Sequence, residues 1–176
     1  MKTEQSFPPI KFEVPPHILV VDAPYYSTVS EMMMVGVKQT LDASKASFDY
    51  LAVPGALEVP TGIWYALRAH AFDAMRRRYE GFIALGCVLK GETRHHEIVG
   101  DLSAKSLQEL SIRYTLALSN GILTCDTLDQ AMERANPEGR NRGAEVAHAC
   151  LRMIELKEKF GLRAAKRRWQ PTIGRS

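Results

Sequence analysis

Apolar positions along this chain fall into short continuous runs separated by longer stretches of helical spacing, an alternation that predicts repeated strand–helix units. Residues 17–21, His-Ile-Leu-Val-Val, read as a buried strand ending at Asp22-Ala23-Pro24, where proline stops regular pairing. Val29, Met33, Val37 and Leu41 recur near helical spacing and predict a helix over 27–41. The methionines at 32–34 read as core filler rather than a metal site. Residues 48–53 give a second short strand closed by Pro54-Gly55, and a helix is expected from near Glu58 through Trp64 and Leu67 towards Met75. Residues 81–89 are apolar throughout and form the clearest strand. A strand apolar on both faces belongs in a parallel sheet covered on each side. Past a polar loop at 90–93, the pattern predicts a long helix over 96–118 and a fourth strand over 121–124. A short helix from Thr127 should turn Leu128, Met132 and Ala135 inward and stop at Asn136-Pro137 and Gly139. A last amphipathic helix over 145–160 should bury Val146, Cys150, Met153, Ile154 and Leu156.

These elements compose one α/β domain over 17–161, with a four-stranded parallel sheet and right-handed crossovers, between an arm at 1–16 and a tail at 162–176. The length of 176 residues suits a single self-sufficient core, and 45% hydrophobic with 24% charged residues is a globular composition. No apolar run approaches the roughly 20 residues of a membrane helix, and no membrane partner is expected. The acids and prolines of the first fourteen residues do not make a signal peptide, so a cytoplasmic protein is expected. Cys87, Cys125 and Cys150 are odd in number and lack metal-type spacing, which reads as reduced thiols. The formal charge of +3 is unevenly distributed: Arg163, Lys166, Arg167, Arg168 and Arg175 lie in the tail, and taking those five from +3 leaves −2 elsewhere. Such a tail can touch phosphates or anionic lipid, but a solvated terminus is the expected state and a nucleic-acid partner is not expected.

Candidate chemistry gathers where strands end, which is where ligands bind in open parallel sheets. Pro24-Tyr25-Tyr26 follows the first strand, residues 54–58 the second, and Lys90-Gly91-Glu92-Thr93-Arg94-His95-His96 the third. In the last, a glycine, a hydroxyl group and backbone amides entering a helix make a seat for phosphate. The glycine-lysine-serine/threonine order of a Walker loop is absent. His95 and His96 are candidates for acid/base work or ordinary surface residues, and no third ligand is spaced to join them on a metal.

Four blocks carry a more specific signal: Val53-Pro54-Gly55-Ala56-Leu57-Glu58-Val59-Pro60; the stretch 84–95, Ala-Leu-Gly-Cys-Val-Leu-Lys-Gly-Glu-Thr-Arg-His; Asn120-Gly121-Ile122-Leu123-Thr124; and Gln130-Ala131-Met132-Glu133-Arg134-Ala135 with Asn141-Arg142-Gly143-Ala144-Glu145. In order and spacing the chain resembles the lumazine synthases, closest to the alphaproteobacterial forms, over roughly residues 17–161. The resemblance implies a flavodoxin-like, three-layer α/β/α domain that condenses 5-amino-6-(D-ribitylamino)uracil with 3,4-dihydroxy-2-butanone 4-phosphate. The products would be 6,7-dimethyl-8-ribityllumazine, phosphate and water, formed without a bound cofactor. It implies a homo-oligomer, a pentamer or an assembly of pentamers, with active sites between subunits. By position, His95 aligns with the proton-transfer histidine, Glu92 and Thr93 with the phosphate loop, and Arg134 with the arginine that pairs with the phosphate. Tyr25 falls where an aromatic ring stacks on the pyrimidine; Ala56, Leu57 and Glu58 would line the ribityl chain; Cys87, Val88 and Leu89 would offer strand-end backbone. Asn120 and Arg142 would come from the neighbouring subunit. The chain departs from the family pattern at Pro24, Arg94, His96, Glu97 and Arg142, while every position with a chemical role keeps a competent side chain. The rival reading is a paralogue of weak catalysis that binds a flavin or lumazine.

Overall fold

A computed structural model describes residues 7–72 and 79–163 of the chain. Four parallel strands, β1 (His17–Ala23), β2 (Ser47–Ala52), β3 (Gly81–Leu89) and β4 (Ala117–Cys125), form one sheet in the order β2-β1-β3-β4. Helices α1 (Ser27–Ala43), α2 (Glu58–Phe72), α3 (His95–Arg113), α4 (Leu128–Ala135) and α5 (Arg142–Lys159) connect and cover them. Alternation along the central strands sorts the core into two layers. Ile18, Val20, Ile83, Leu85 and Cys87 face α1, α4 and α5, whereas Leu19, Val21, Phe82 and Ala84 face α2 and α3. The expected three-layer α/β/α arrangement is therefore present, and both central strands are buried along almost their whole length.

Several boundaries differ from the sequence expectation. The helix expected over 96–118 ends at Arg113, and β4 begins at Ala117 rather than at 121. Thr115 turns into the left-handed region with φ 53°, Leu116 N–H donates to Ser111 O at 2.9 Å, and Thr115 N–H donates to Ile112 O. This is the hydrogen-bond pattern of a Schellman stop, which usually announces itself with glycine. Here the Lys157 ammonium, donating to Thr115 O at 2.7 Å, helps a β-branched residue hold the turn. The end of α1 uses the same device with Lys45 at φ 57°. Leu128, expected inward, is exposed; Ala135 is buried as expected, Met132 packs half-buried against the core, and Ala131 joins them. Met153 and Leu156, also expected inward, are exposed, because α5 buries the stripe Val146, Ala147, Cys150, Leu151 and Ile154. β1 continues through Asp22 and Ala23, two residues beyond the apolar run. The end expected for α2 near Met75 lies outside the described residues, as do residues 164–176 of the basic tail.

The amino end of the sheet is tied together by polar contacts. Buried His17 lies 2.8 Å from Ser47 Oγ and 3.1 Å from Asp49 Oδ2, and its ring stacks on Tyr79 at 5.2 Å. Arg163 joins Glu80 at 2.6 Å, Glu158 at 3.2 Å and the carbonyl of Val14, with its guanidinium over the Phe12 ring. Within the arm, Ile10 is buried and its N–H donates to Ser44 Oγ at 3.1 Å. On the α1 side, glycines let α1 and α5 approach main chain to main chain, at Gly36 and Gly143.

Candidate active site

The carboxyl edge of the sheet collects the chemistry-bearing segments, because parallel register brings all four strand ends to one side. Asp22 pairs with Ala52 and Leu85, Ala23 with Gly86, and Leu89 with Cys125. One residue beyond, Lys90 N–H donates to Cys125 O at 2.9 Å, so the loop after β3 leaves the sheet alongside the end of β4. Pro24 sits at the centre of a three-residue turn, with Tyr25 N–H donating to Ala23 O at 2.8 Å. Proline fixes the φ that an inverse γ-turn needs. The turn swings Tyr25 outward to 77% exposure, with its ring edge-on to Tyr26 at 5.1 Å. Tyr26 packs against the core layer that includes Cys87, near the end of β3.

From β2 the chain turns at residues 53–57 into α2. Val53 N–H donates to Asp22 O at 2.8 Å and Glu58 N–H to Gly55 O at 3.0 Å. Ala56 is buried, Leu57 and Glu58 are exposed, and the Glu58 carboxylate folds over Gly55, where a Cβ would stand 2.8 Å from its oxygen. That places an acid at the positive end of α2, a favourable location.

The loop over 90–94 is exposed and delivers His95 as the first residue of α3. Thr93 organises it: its hydroxyl accepts from His95 N–H at 3.4 Å, and its carbonyl lies 2.9 Å from His96 Nδ1. A carbonyl can only accept, so the neutral His96 ring carries its proton on Nδ1 and presents Nε2 as an acceptor. The His95 ring is exposed at the same helix start. Arg94, the cation beside it, is engaged by Glu97, Nε to Oε2 at 3.0 Å. Glu92 is exposed on the loop. At the end of β4, Thr127 caps α4 by accepting from Gln130 N–H at 3.3 Å, and Arg134 lies one turn further on. Arg134 donates to Gln130 O at 3.1 Å, and its charge opposes the upward push of burial on the Cys125 thiol. Burial, with a smaller contribution from Cys125, pushes the Cys87 thiol up to about 12, which removes it as a thiolate nucleophile near neutral pH. Cys87 and Val88 are buried and Leu89 half-buried, leaving their strand-end backbone as the part that meets a ligand.

The carboxyl edge thus carries Tyr25, Ala56, Leu57, Glu58, Cys87, Val88, Leu89, Glu92, Thr93 and His95, with Arg134 on the helix that follows β4. Asn120 is elsewhere. It pairs with Ala84 in mid-strand, about 16 Å short of the end of β4 at the usual rise per residue, and its Oδ1 accepts from Ile122 N–H at 2.9 Å. Arg142 opens α5 and pairs with Glu145. A groove of about 430 Å³ runs between α2 and α3, lined by Pro60, Trp64, Leu110, Arg113 and Tyr114; it reaches the carboxyl edge through Leu57 and contains neither His95 nor Arg134. Among the described residues no group of three histidine, cysteine or acidic side chains could hold a metal ion.

Sequence reading passed over Asp22, which is fully buried at this edge and accepts hydrogen bonds from Ser30 Oγ at 3.1 Å and Tyr50 Oη at 2.9 Å. Its signal was present: an acid directly following an apolar strand run.

Residues 15–158 match the sequence pattern of the family described as 6,7-dimethyl-8-ribityllumazine synthase. The chain is 44% identical over 147 residues to 6,7-dimethyl-8-ribityllumazine synthase 1 of Rhizobium meliloti, covering 84% of this chain and 95% of that one. It is 42% identical over 146 residues to the 6,7-dimethyl-8-ribityllumazine synthase of Bartonella tribocorum, covering 83% and 93% respectively. A protein of the same description from Sphingopyxis alaskensis is 42% identical over 146 residues, 83% of this chain and 98% of its own length.

Proposed function

Because the chain belongs to the 6,7-dimethyl-8-ribityllumazine synthase family, we propose that it condenses 5-amino-6-(D-ribitylamino)uracil with 3,4-dihydroxy-2-butanone 4-phosphate to give 6,7-dimethyl-8-ribityllumazine, phosphate and water, a step of riboflavin biosynthesis. The observation that carries this reading is that His95 and the Thr93 loop follow β3, Arg134 follows β4 and Tyr25 follows β1, all past carboxyl ends of one parallel sheet.

The reaction asks for little beyond holding two reactants, seating a phosphate and moving protons. The amine of the pyrimidine condenses with the ketone to an imine with loss of one water, phosphate leaves by elimination, and attack of the ribitylamino nitrogen closes the ring with loss of a second water. Exposed backbone amides at the start of α3, the Thr93 hydroxyl and the permanently charged Arg134 suit the phosphate. The Glu92 carboxylate must turn away from it to avoid repulsion. His95, at the mouth of the same helix, is placed to carry the protons, a role that typically contributes about 10²–10⁴-fold. Tyr25 offers a face for the pyrimidine, and the backbone of 56–58 and 87–89 the polar edges for its ribityl chain and ring. Fixing both reactants in reach of one another contributes further powers of ten.

The active site is read as shared between subunits of a homo-oligomer built on pentamers. Three features support this: Tyr25, Glu92, Thr93 and His95 are all exposed, Asn120 lies about 16 Å from the edge on its own chain, and apolar side chains are exposed on α3 (Ile98, Leu102, Ile112) and β2 (Tyr50, Leu51). A neighbour bringing Asn120 and Arg142 would close the site. The setting is read as cytoplasmic, in keeping with three buried, unbridged thiols; no described helix is long and apolar enough to cross a membrane.

The test is lumazine formation from the two substrates by the purified protein and by His95→Ala. Acceleration over the spontaneous reaction, falling about 10²–10⁴-fold in the variant, is expected. Binding of both substrates without acceleration would replace the enzyme by a flavin- or lumazine-binding paralogue. A monomeric mass in solution would overturn the shared site.

A further inference from the structure

Asp22 is the one acidic side chain in the buried set of described residues, and it lies three residues before Tyr25. A buried carboxyl needs compensation by hydrogen bonds, and Asp22 draws these from two different elements. Ser30 Oγ, one turn into α1, donates to Oδ1 at 3.1 Å, and Tyr50 Oη, on the edge strand β2, donates to Oδ2 at 2.9 Å. Ser30 is itself the residue whose N–H donates to Tyr26 O at 3.1 Å, so the Asp22–Ser30 bond anchors the first turn of α1, which Tyr26 caps with the Tyr25 ring edge-on to it. The main-chain carbonyl of Asp22 accepts from Val53 N–H at 2.8 Å, the last ladder contact before the segment 54–58. One residue therefore holds both walls of the cleft proposed for the pyrimidine: the tyrosine pair through its side chain, and the segment with Ala56, Leu57 and Glu58 through its carbonyl and through Tyr50.

We infer that Asp22 is a positioning residue for the pyrimidine substrate, bracketing β1, β2 and α1 so that the Tyr25 ring and the 56–58 backbone stand at the separation the ring and its ribityl chain require. The inference rests on the proposed condensation and its placement at this edge. The phosphate half of the site is built separately, from the loop at 90–95 and from α4, and no hydrogen bond from Asp22 reaches it. The Tyr50 phenol is pushed up to about 12, first by burial, then by its bond to Asp22 and by that group's charge.

The experiment uses the full-length assembled protein and compares Tyr50→Phe and Asp22→Asn with wild type. Tyr50→Phe removes one hydroxyl from a half-exposed ring and decides the matter even if Asp22→Asn does not fold. The KM for the ribitylaminouracil should rise about tenfold, the cost of one hydrogen bond to a charged group, while the KM for the butanone phosphate stays within about twofold. Equilibrium titration with the product, 6,7-dimethyl-8-ribityllumazine, should weaken by a similar factor, a readout independent of turnover. Tyr50→Phe placed on Asp22→Asn should cost less than the two single effects combined, since the Tyr50–Asp22 bond is common to both. Unchanged lumazine affinity in Tyr50→Phe, or equal rises in both KM values, would overturn the role of Asp22 while leaving the condensation intact. Failure of the wild-type protein to bind the lumazine or to form it would instead overturn the functional reading, and this role with it.

Discussion

Replacing Gly143 by alanine probes how closely the two helices behind the tyrosine wall are pressed together. A Cβ at Gly143 stands 2.1 Å from the Met33 carbonyl oxygen, 2.9 Å from its carbonyl carbon and 3.1 Å from its Cα. Carbon atoms pack at about 3.5–4.0 Å, so α1 must retreat from α5 by roughly 1 Å. Both sides of the clash are main chain, and no rotamer relieves it. Over-packing of this kind costs about 1–3 kcal/mol and occasionally more. Alanine for glycine in a helix returns at most about 1 kcal/mol, so a net loss of about 2 kcal/mol is expected, from the upper part of that range. Gly100→Ala on α3 is the control. Its Cβ meets only the Thr124 side chain, at 3.2 and 3.5 Å. That side chain can turn, so the change should lie between neutral and a gain of about 1 kcal/mol. Urea unfolding followed by circular dichroism at one fixed protein concentration is the assay, because the apparent stability of an assembling protein depends on concentration. With a slope of about 2 kcal/mol per M, Gly143→Ala should unfold about 1 M earlier. A loss below about 0.5 kcal/mol, or one no larger than that of Gly100→Ala, would refute the main-chain contact as the reason for glycine.

Arg134→Ala should raise the KM for the butanone phosphate by about tenfold or more, the expected loss for a charged hydrogen bond; a rise confined to the pyrimidine KM in steady-state assays would contradict its assignment to phosphate. Asn141 caps α5 by accepting from Ala144 N–H at 3.2 Å and sits at φ 48°. In urea unfolding, Asn141→Ala should lose about 1 kcal/mol for the cap and about 1–2 kcal/mol for the left-handed backbone. Asn141→Gly should lose only a few tenths, and equal losses in the two would reject the backbone contribution. Burial raises the Asp22 carboxyl above its ordinary value, against the opposing bonds from Tyr50 and Ser30. Its contribution to stability is therefore fully present below the ordinary carboxyl pKa and is lost as pH rises through the raised one. Unfolding measured from acid to weakly acid pH should show this decline in wild type and lack it in Asp22→Asn; parallel profiles would remove Asp22 as its source.

The sequence by itself determined the layers and the end of the sheet at which chemistry collects. Continuous apolar runs over 17–21 and 81–89 can only be buried on both faces, and proline and glycine punctuation fixed where the chain turns after β1 and β2. Parallel strands place all their carboxyl ends together, so Tyr25, Leu57, Thr93 and His95 were legible as one group before any contact was known. The resemblance supplied their roles. What only tertiary structure decided depends on contacts distant in sequence. The stop of α3 at Arg113 has no glycine to announce it and leans on Lys157, 42 residues from Thr115. Met153 and Leu156 look inward by composition, yet the face on which α5 meets α1, pressed close at Gly36 and Gly143, gives that place to Ala147 and Leu151. Asp22 read as the end of a strand because its two partners, 8 and 28 residues away, come to it only when α1 and β2 flank β1. An isolated acid carries no local sign of the hydrogen bonds that make its burial tolerable, since those are made by the fold.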